Sequence, residues 1–212
     1  MGSSKKKCVF PCYFSRLALT LSPQKQAMDA LVIINKYYAD NEELKQLLLH
    51  HSLQVANRAL DIARQHPEMG IDTDFVAQAA MLHDIGIFLT DAPGIHCHGT
   101  HHYLMHGYLG GQLMRELGMP RVARVCERHT GTGLTPETIA ERGLPLPPGN
   151  YRPETLEEEL ICYADKFYSK SHPDRVRSVH DTALSLEKFG HEGVVIFKQW
   201  VKKFEPQYAD GL

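Results

Sequence analysis

The chain has 212 residues, a formal net charge of −2 and an isoelectric point near 6.7. That length suits one domain with a sizeable core, and the charge balance leaves no electrostatic footprint for a nucleic-acid polymer. No apolar run approaches the ~18 residues of a membrane span, and five cysteines, an odd count at scattered spacing, argue against a disulfide framework and fit a reducing cytoplasm.

Residues 1–27 read as a poorly ordered extension. Lys5-Lys6-Lys7 followed by Cys8 to Phe14 imitates a secretory signal, but Pro11 and Arg16 interrupt the apolar part and no small-x-small cleavage site follows. Cys8 and Cys12 have a Cys-x-x-x-Cys spacing that zinc knuckles do not use, and Met28 is an alternative start. A helical stretch opens at Ser22-Pro23, with Ala27, Leu31, Ile34 and Tyr38 at helical spacing.

Asn41 is placed to cap the next helix, where Leu44, Leu47, Leu48, His51, Val55 and Ile62 follow a 3.6-residue period. His51 therefore lies on the buried face, and His66-Pro67 ends the helix. Asp72 or Thr73 caps a following helix, Asp74 to Ile85, that is apolar on most sides. It ends in His83-Asp84-Ile85-Gly86, and so central a position is costly for His83 and Asp84 unless a partner, such as a cation, satisfies them.

Leu89 to Tyr103 reads as a loop with four histidines and Cys97, and its expected role is a lid that brings His101 or His102 to a substrate phosphate. His106 opens another helix, whose Gly110-Gly111 pair costs around 1 kcal/mol per glycine and so points to close packing. Gly118 and Pro120 end it, and Val122, Val125, Cys126 and His129 mark the next, with Cys126 and later Cys162 expected in the core. Gly143 to Pro153 is a Pro-rich connector near the site mouth. Thr155 and Glu158 form a capping box for a helix that places Asp165 near its apolar face. Two helices, Asp174 to Phe189 and Glu192 to Phe204, close the chain as core cover or an oligomer surface. With no sustained strand alternation, the expected fold is all-α: a compact bundle of roughly seven to nine helices over residues 28–212, with ligand-bearing residues within 44–168.

The ordered set His51, His83-Asp84, His106, His129 and Asp165 resembles the HD superfamily of metal-dependent phosphohydrolases, and His83-Asp84-Ile85-Gly86 matches the HDIG form of its motif. The extra His106 and His129 resemble the dinuclear branch, which includes HD-type diadenosine tetraphosphate hydrolases and HD-GYP phosphodiesterases. The chain has His106-Gly107-Tyr108-Leu109 in place of a Gly-Tyr-Pro signature, which weighs against cyclic-dinucleotide cleavage. The resemblance implies one metal at His51, His83, Asp84 and Asp165 and a second at His106 and His129, with Asp84 bridging and a metal-activated water as nucleophile.

Such a centre calls for cationic help at phosphorus. Lys166, beside Asp165, is the first candidate for catalysis and substrate binding, and Arg128, beside His129, is the second. The mixed imidazole and carboxylate set favours Fe or Mn, with Zn, Ni and Mg still open. The implied partner is a small phosphorylated molecule, a nucleotide and most sharply a dinucleoside polyphosphate, with a homo-oligomer left open. The alternatives are a mononuclear nucleotidase, a non-catalytic metal-binding regulatory module and an HD-fold di-iron oxygenase.

Overall fold

A helix of 24 residues, Glu42–Gln65 (α2), is a spine along which the helices Thr73–Leu82 and Leu156–Asp165 pack. Asn41 starts it, its side chain accepting the Leu44 N–H at 3.0 Å, and His66-Pro67 stops it as expected. Its buried stripe runs through Leu44, Leu48, His51, Val55, Ala59 and Ile62. The structure is a computed structural model that describes residues 29–188 and 190–211. The expected extension 1–27 with Cys8 and Cys12, the helix start at Ser22 and the helix end at Phe189 lie outside the described residues.

α1 is Ala30–Tyr37, opened by Asp29, whose side chain accepts the Leu31 N–H at 2.9 Å. α3, Thr73–Leu82, is capped by Asp72 and packs along α2 with Val76, Ala79, Ala80, Met81 and Leu82 buried. α3 ends at Leu82 rather than Ile85, and a 3-10 turn, Ile85–Leu89, follows. Tyr38, at the end of α1, donates its hydroxyl to Ile85 O at 2.8 Å and so pins this turn.

The segment expected to be a loop folds instead as a small sheet in the order β2-β1-β3. β1, Thr90–Ala92, pairs antiparallel with β2, Cys97–His98, and parallel with β3, His101–His102. Strands of two or three residues are too short to show the alternation by which strands are recognised. The remainder is helical, so the bundle carries nine α-helices among the described residues.

α4, His106–Glu116, and α5, Pro120–Arg128, form a packed pair, and the short α6, Pro136–Glu141, leads into the Pro-rich connector. α7, Leu156–Asp165, has the expected Thr155–Glu158 capping box and packs on α2. α8, Val179–Glu187, starts at Ser178 rather than Asp174, because Ser178 accepts the Asp181 N–H at 3.0 Å. α9, His191–Phe204, lays Val194, Phe197, Trp200, Val201 and Phe204 into the core. These residues are core cover, and Phe197 and Phe204 pack their rings against Tyr163 and Phe167 of the α7 segment.

Close approach at Gly86 sets the distance between the α3 turn and α4. A Cβ built on Gly86 would lie 2.3 Å from His106 O and 2.5 Å from Gly110 N, both backbone atoms that cannot rotate away. Gly110 is thus the small residue that lets two backbones meet. Gly86→Ala is expected to cost about 3 kcal/mol through overpacking and to lower Tm by about 5–10 °C. Gly94→Ala, where a Cβ meets nothing within 4 Å, should melt with the wild type. Thermal denaturation of the two variants checks this, and a Gly86→Ala protein that melts with the wild type refutes it.

Candidate metal centre

Five helices bring six ionisable side chains to one place: His51 from α2, His83 and Asp84 from the end of α3, His106 from α4, His129 from the end of α5, and Asp165 from α7. None is more than 9% exposed. Adjacent ligands on a continuous helix would diverge by about 100°. The end of α3 removes that problem. His83 keeps helical backbone, while Asp84 turns out of it at φ −103°, ψ 12°, in the sparsely allowed region common at active sites.

Each oxygen of Asp84 faces a different pair of imidazoles. Oδ2 lies 3.1 Å from His51 Nε2 and 2.9 Å from His83 Nε2, whereas Oδ1 lies 3.3 Å from His106 Nε2 and 3.4 Å from His129 Nε2. Asp165 Oδ1 joins the first group, 3.0 Å from His51 Nε2. Within each group the donor atoms lie inside 4.8 Å of one another.

Three of the histidines are oriented by the same local device. His83, His106 and His129 each place Nδ1 2.7 Å from the carbonyl three residues earlier, those of Ala80, Tyr103 and Cys126. A carbonyl only accepts, so Nδ1 carries the hydrogen; the neutral rings of His106 and His129 present their Nε2 lone pairs to the centre, and His83 does so once its Nε2 proton has left. His106 Nε2 and His129 Nε2 then face each other at 3.0 Å, two lone pairs that need a cation. Buried polar atoms are nearly always paired. Here both ring nitrogens of His51, Nε2 of His83 and Oδ1 of Asp84 lack a hydrogen bond, and Asp84 Oδ2 is paired with the Lys170 ammonium. These residues fit two metal ions that share Asp84, with nitrogen and carboxylate donors of transition-metal type.

The electrostatics follow from burial. Burial pushes His106 down to about 3 and lowers His129, so both are neutral. Burial works the same way on His83, but the adjoining Asp84 and Asp165 carboxylates override it and raise that imidazole to about 9. Burial would also raise the two carboxyls. His83 and Lys170 hold Asp84 well below the usual carboxylate range, and Lys166 and His51 do the same for Asp165.

The predicted substrate contacts are distributed differently. Lys166 Nζ is buried and committed, 2.7 Å from Asp165 Oδ2 and 2.8 Å from His129 O, so it holds a ligand in place. Arg128 donates to Arg152 O at 2.6 Å and pairs with Glu154. His101 and His102 are exposed in β3, and His102 Nδ1 accepts the Leu104 N–H, which makes them parts of the sheet rather than of a lid. A cavity of about 410 Å³ opens beside Asp165, lined by Tyr103, Tyr168, Ser169, Lys170 and Ser171 among others, and by none of Arg128, His101 or His102. Sequence reasoning missed Lys170, whose Nζ lies 2.5 Å from Asp84 Oδ2, because a lysine in a polar turn carries no periodic signal.

The HD domain family profile matches residues 48–169, a span that contains all six centre residues. The chain is 34% identical over 139 residues to an uncharacterised protein of Methanocaldococcus jannaschii, covering 64% of this chain and 71% of that one. It is 30% and 32% identical to the tRNA (cytidine(56)-2'-O)-methyltransferases of Picrophilus torridus and Thermoplasma volcanium, with 72% and 63% of this chain covered. The matches span 43% and 35% of those two proteins, less than half of their length. Among solved structures, the HD domain of the phosphodiesterase PgpH from L. monocytogenes is similar at a TM-score of 0.48 and 16% identity, over 78% of this chain and 92% of that one. The same domain in complex with cyclic-di-AMP gives 0.47 and 17%, over 84% and 94%.

The charge states dictate a pH dependence. His83 is raised from 6.5 to about 9, so its stabilising contribution is complete below 6.5 and lost as pH rises through 9. His106 is lowered to about 3, so its contribution is complete above 6.5 and declines as pH falls toward 3. Chelator-stripped protein should be most stable near pH 6.5. A bound metal must displace the His83 proton, so metal affinity should rise about tenfold per pH unit up to about 9. Thermal melts and calorimetric metal titrations across pH 5–10 check both trends, and a pH-independent metal affinity contradicts the second.

Proposed function

The chain belongs to the HD domain family, and on that premise we propose that it hydrolyses a phosphoester or phosphoanhydride bond of a small nucleotide-like molecule at a two-metal centre, with a dinucleoside polyphosphate as the leading substrate. Metal-dependent phosphohydrolysis is the chemistry of the family; the substrate and the number of ions are the proposed part. The observation that carries the dinuclear reading is Asp84, whose two oxygens face separate imidazole pairs. A mononuclear site has no use for a second pair of buried, neutral histidines turned toward the far oxygen.

Divalent ions bound there supply Lewis-acid charge and lower the pKa of an attacking water. The protein supplies the geometry. Asp84 fixes the separation of the two groups. Lys166 holds Asp165 by its carboxylate and His129 by its carbonyl, so the ligands on α5 and α7 stay in register. The cavity beside Asp165 gives a phosphorylated substrate its approach, with the Tyr103 and Tyr168 rings on its walls and Lys170 at its inner end. The donor set favours Fe or Mn over Mg, which prefers all-oxygen shells.

Protein purified without chelator should contain about two metals per chain, and His129→Ala about one, with at least ~100-fold lower turnover on a nucleotide panel led by diadenosine tetraphosphate. Elemental analysis reads the first and product chromatography the second. One metal per chain in both proteins supports the mononuclear nucleotidase instead. Turnover that stops without dioxygen supports the di-iron oxygenase.

A further inference from the structure

Lys170 is a cation with nowhere ordinary to go. It lies in the turn after α7, its side chain is 12% exposed, and its Nζ sits 2.5 Å from the fully buried Asp84 Oδ2. That oxygen is the one that faces His51 and His83, so the ammonium holds the charge position that a metal in the first group would claim. A metal ion bound at that oxygen and the Lys170 ammonium would repel each other strongly in a poorly solvated site, because the repulsion is weakly screened there.

Resting on the dinuclear reading above, we propose that Lys170 is a two-position side chain. In the metal-free protein its ammonium stands in for a cation at Asp84. With a cation bound, it turns on its flexible four-carbon stem into the adjoining cavity and contacts a phosphate oxygen of the substrate.

The cavity supports the second position. Lys170 lines it, and beside it stand Tyr103, Tyr168, Ser169 and Ser171, all neutral. The cavity's one acidic side chain, Asp165, is already engaged by Lys166 and His51. An ammonium turned from Asp84 therefore faces neutral walls, against which it can pair with an anion that enters the cavity. Lys166 cannot take this role, since both its contacts belong to the frame of the centre.

The test uses the full chain stripped of metal, as wild type, Lys170→Met and Lys170→Arg, with Mn²⁺ and then inorganic phosphate as the titrants. Removing the competing charge should tighten Mn²⁺ binding about tenfold in Lys170→Met, a coupling of ordinary size. Once loaded with metal, the same variant should bind inorganic phosphate about tenfold more weakly. Lys170→Arg should retain wild-type behaviour in both titrations. A merely structural lysine would weaken both affinities together, so the opposite signs are the discriminating result. Lys170→Gln replaces Lys170→Met if circular dichroism shows that the latter does not fold. Unchanged or weaker Mn²⁺ binding in the charge-free variant, or unchanged phosphate binding, overturns the inference while leaving the two-metal reading in place. Wild-type protein that binds no Mn²⁺ overturns both.

Discussion

A carboxylate with no exposed surface is the constraint from which the rest follows. Asp84 is 0% exposed, and a carboxylate taken out of water either neutralises or must be surrounded by compensating charge. Here Lys170 and four imidazoles surround it. That ring of partners requires contributions from α2, α3, α4, α5 and the turn after α7, so packing these helices and assembling the centre are one event. The apolar α3 is the element able to carry the carboxylate inward, because its buried residues let its end reach the middle of the bundle.

Precision then comes from helix ends and from small residues. The C-terminal ends of helices leave carbonyls without an intrahelical partner, and there His83 and His129 donate Nδ1–H to the carbonyls of Ala80 and Cys126, while His106 donates to Tyr103 O in the 3-10 turn before α4. One bond fixes both the ring plane and the tautomer. His51 lies in mid-helix without such a partner for Nδ1, so packing orients it. The backbones approach where side chains are missing: Gly86 against Gly110 and His106 O, and Gly107, where a Cβ would lie 2.4 Å from Cys126 O. The glycine that closes the His-Asp-Ile-Gly run is therefore a spacing device for the buried His and Asp side chains, without any strained dihedral angle of its own.

The burial of these six side chains was legible in the sequence because each is a residue type that is costly to bury, set in an apolar helical period or at the end of one. His51 among Leu48, Ser52 and Val55 is such a case, and so is Asp165 at the end of α7. The helix bundle was legible for the same reason. What stayed hidden depends on tertiary return. Lys170 gains its meaning only where the turn after α7 folds back beside Asp84. Arg128 is next to His129 in sequence but points about 100° away on its helix, toward Glu154 and Arg152. The small sheet joins residues through backbone pairing in strands shorter than any alternation can reveal. Two histidines of this segment have local partners: His96 pairs with Glu43 while its carbonyl accepts from Asn41, and His102 caps the turn that leads into α4.

The two groups of ligands cannot shift independently, because one carbonyl ties them together. His129 O accepts Lys166 Nζ at 2.8 Å and the Cys162 thiol at 3.3 Å, and Lys166 in turn holds Asp165. The next residue, Phe167, is buried among Tyr163 and Phe197, with the Arg58 guanidinium stacked on its ring and paired with Glu205. Arg177 bonds the Lys166 carbonyl from the far side. The C-terminal helices thus carry none of the six centre residues yet determine where Asp165 sits, since α9 supplies the aromatic cover that immobilises the end of α7. Separation between the two groups is a property of the folded chain, and a substrate phosphate meets a centre whose spacing is already set.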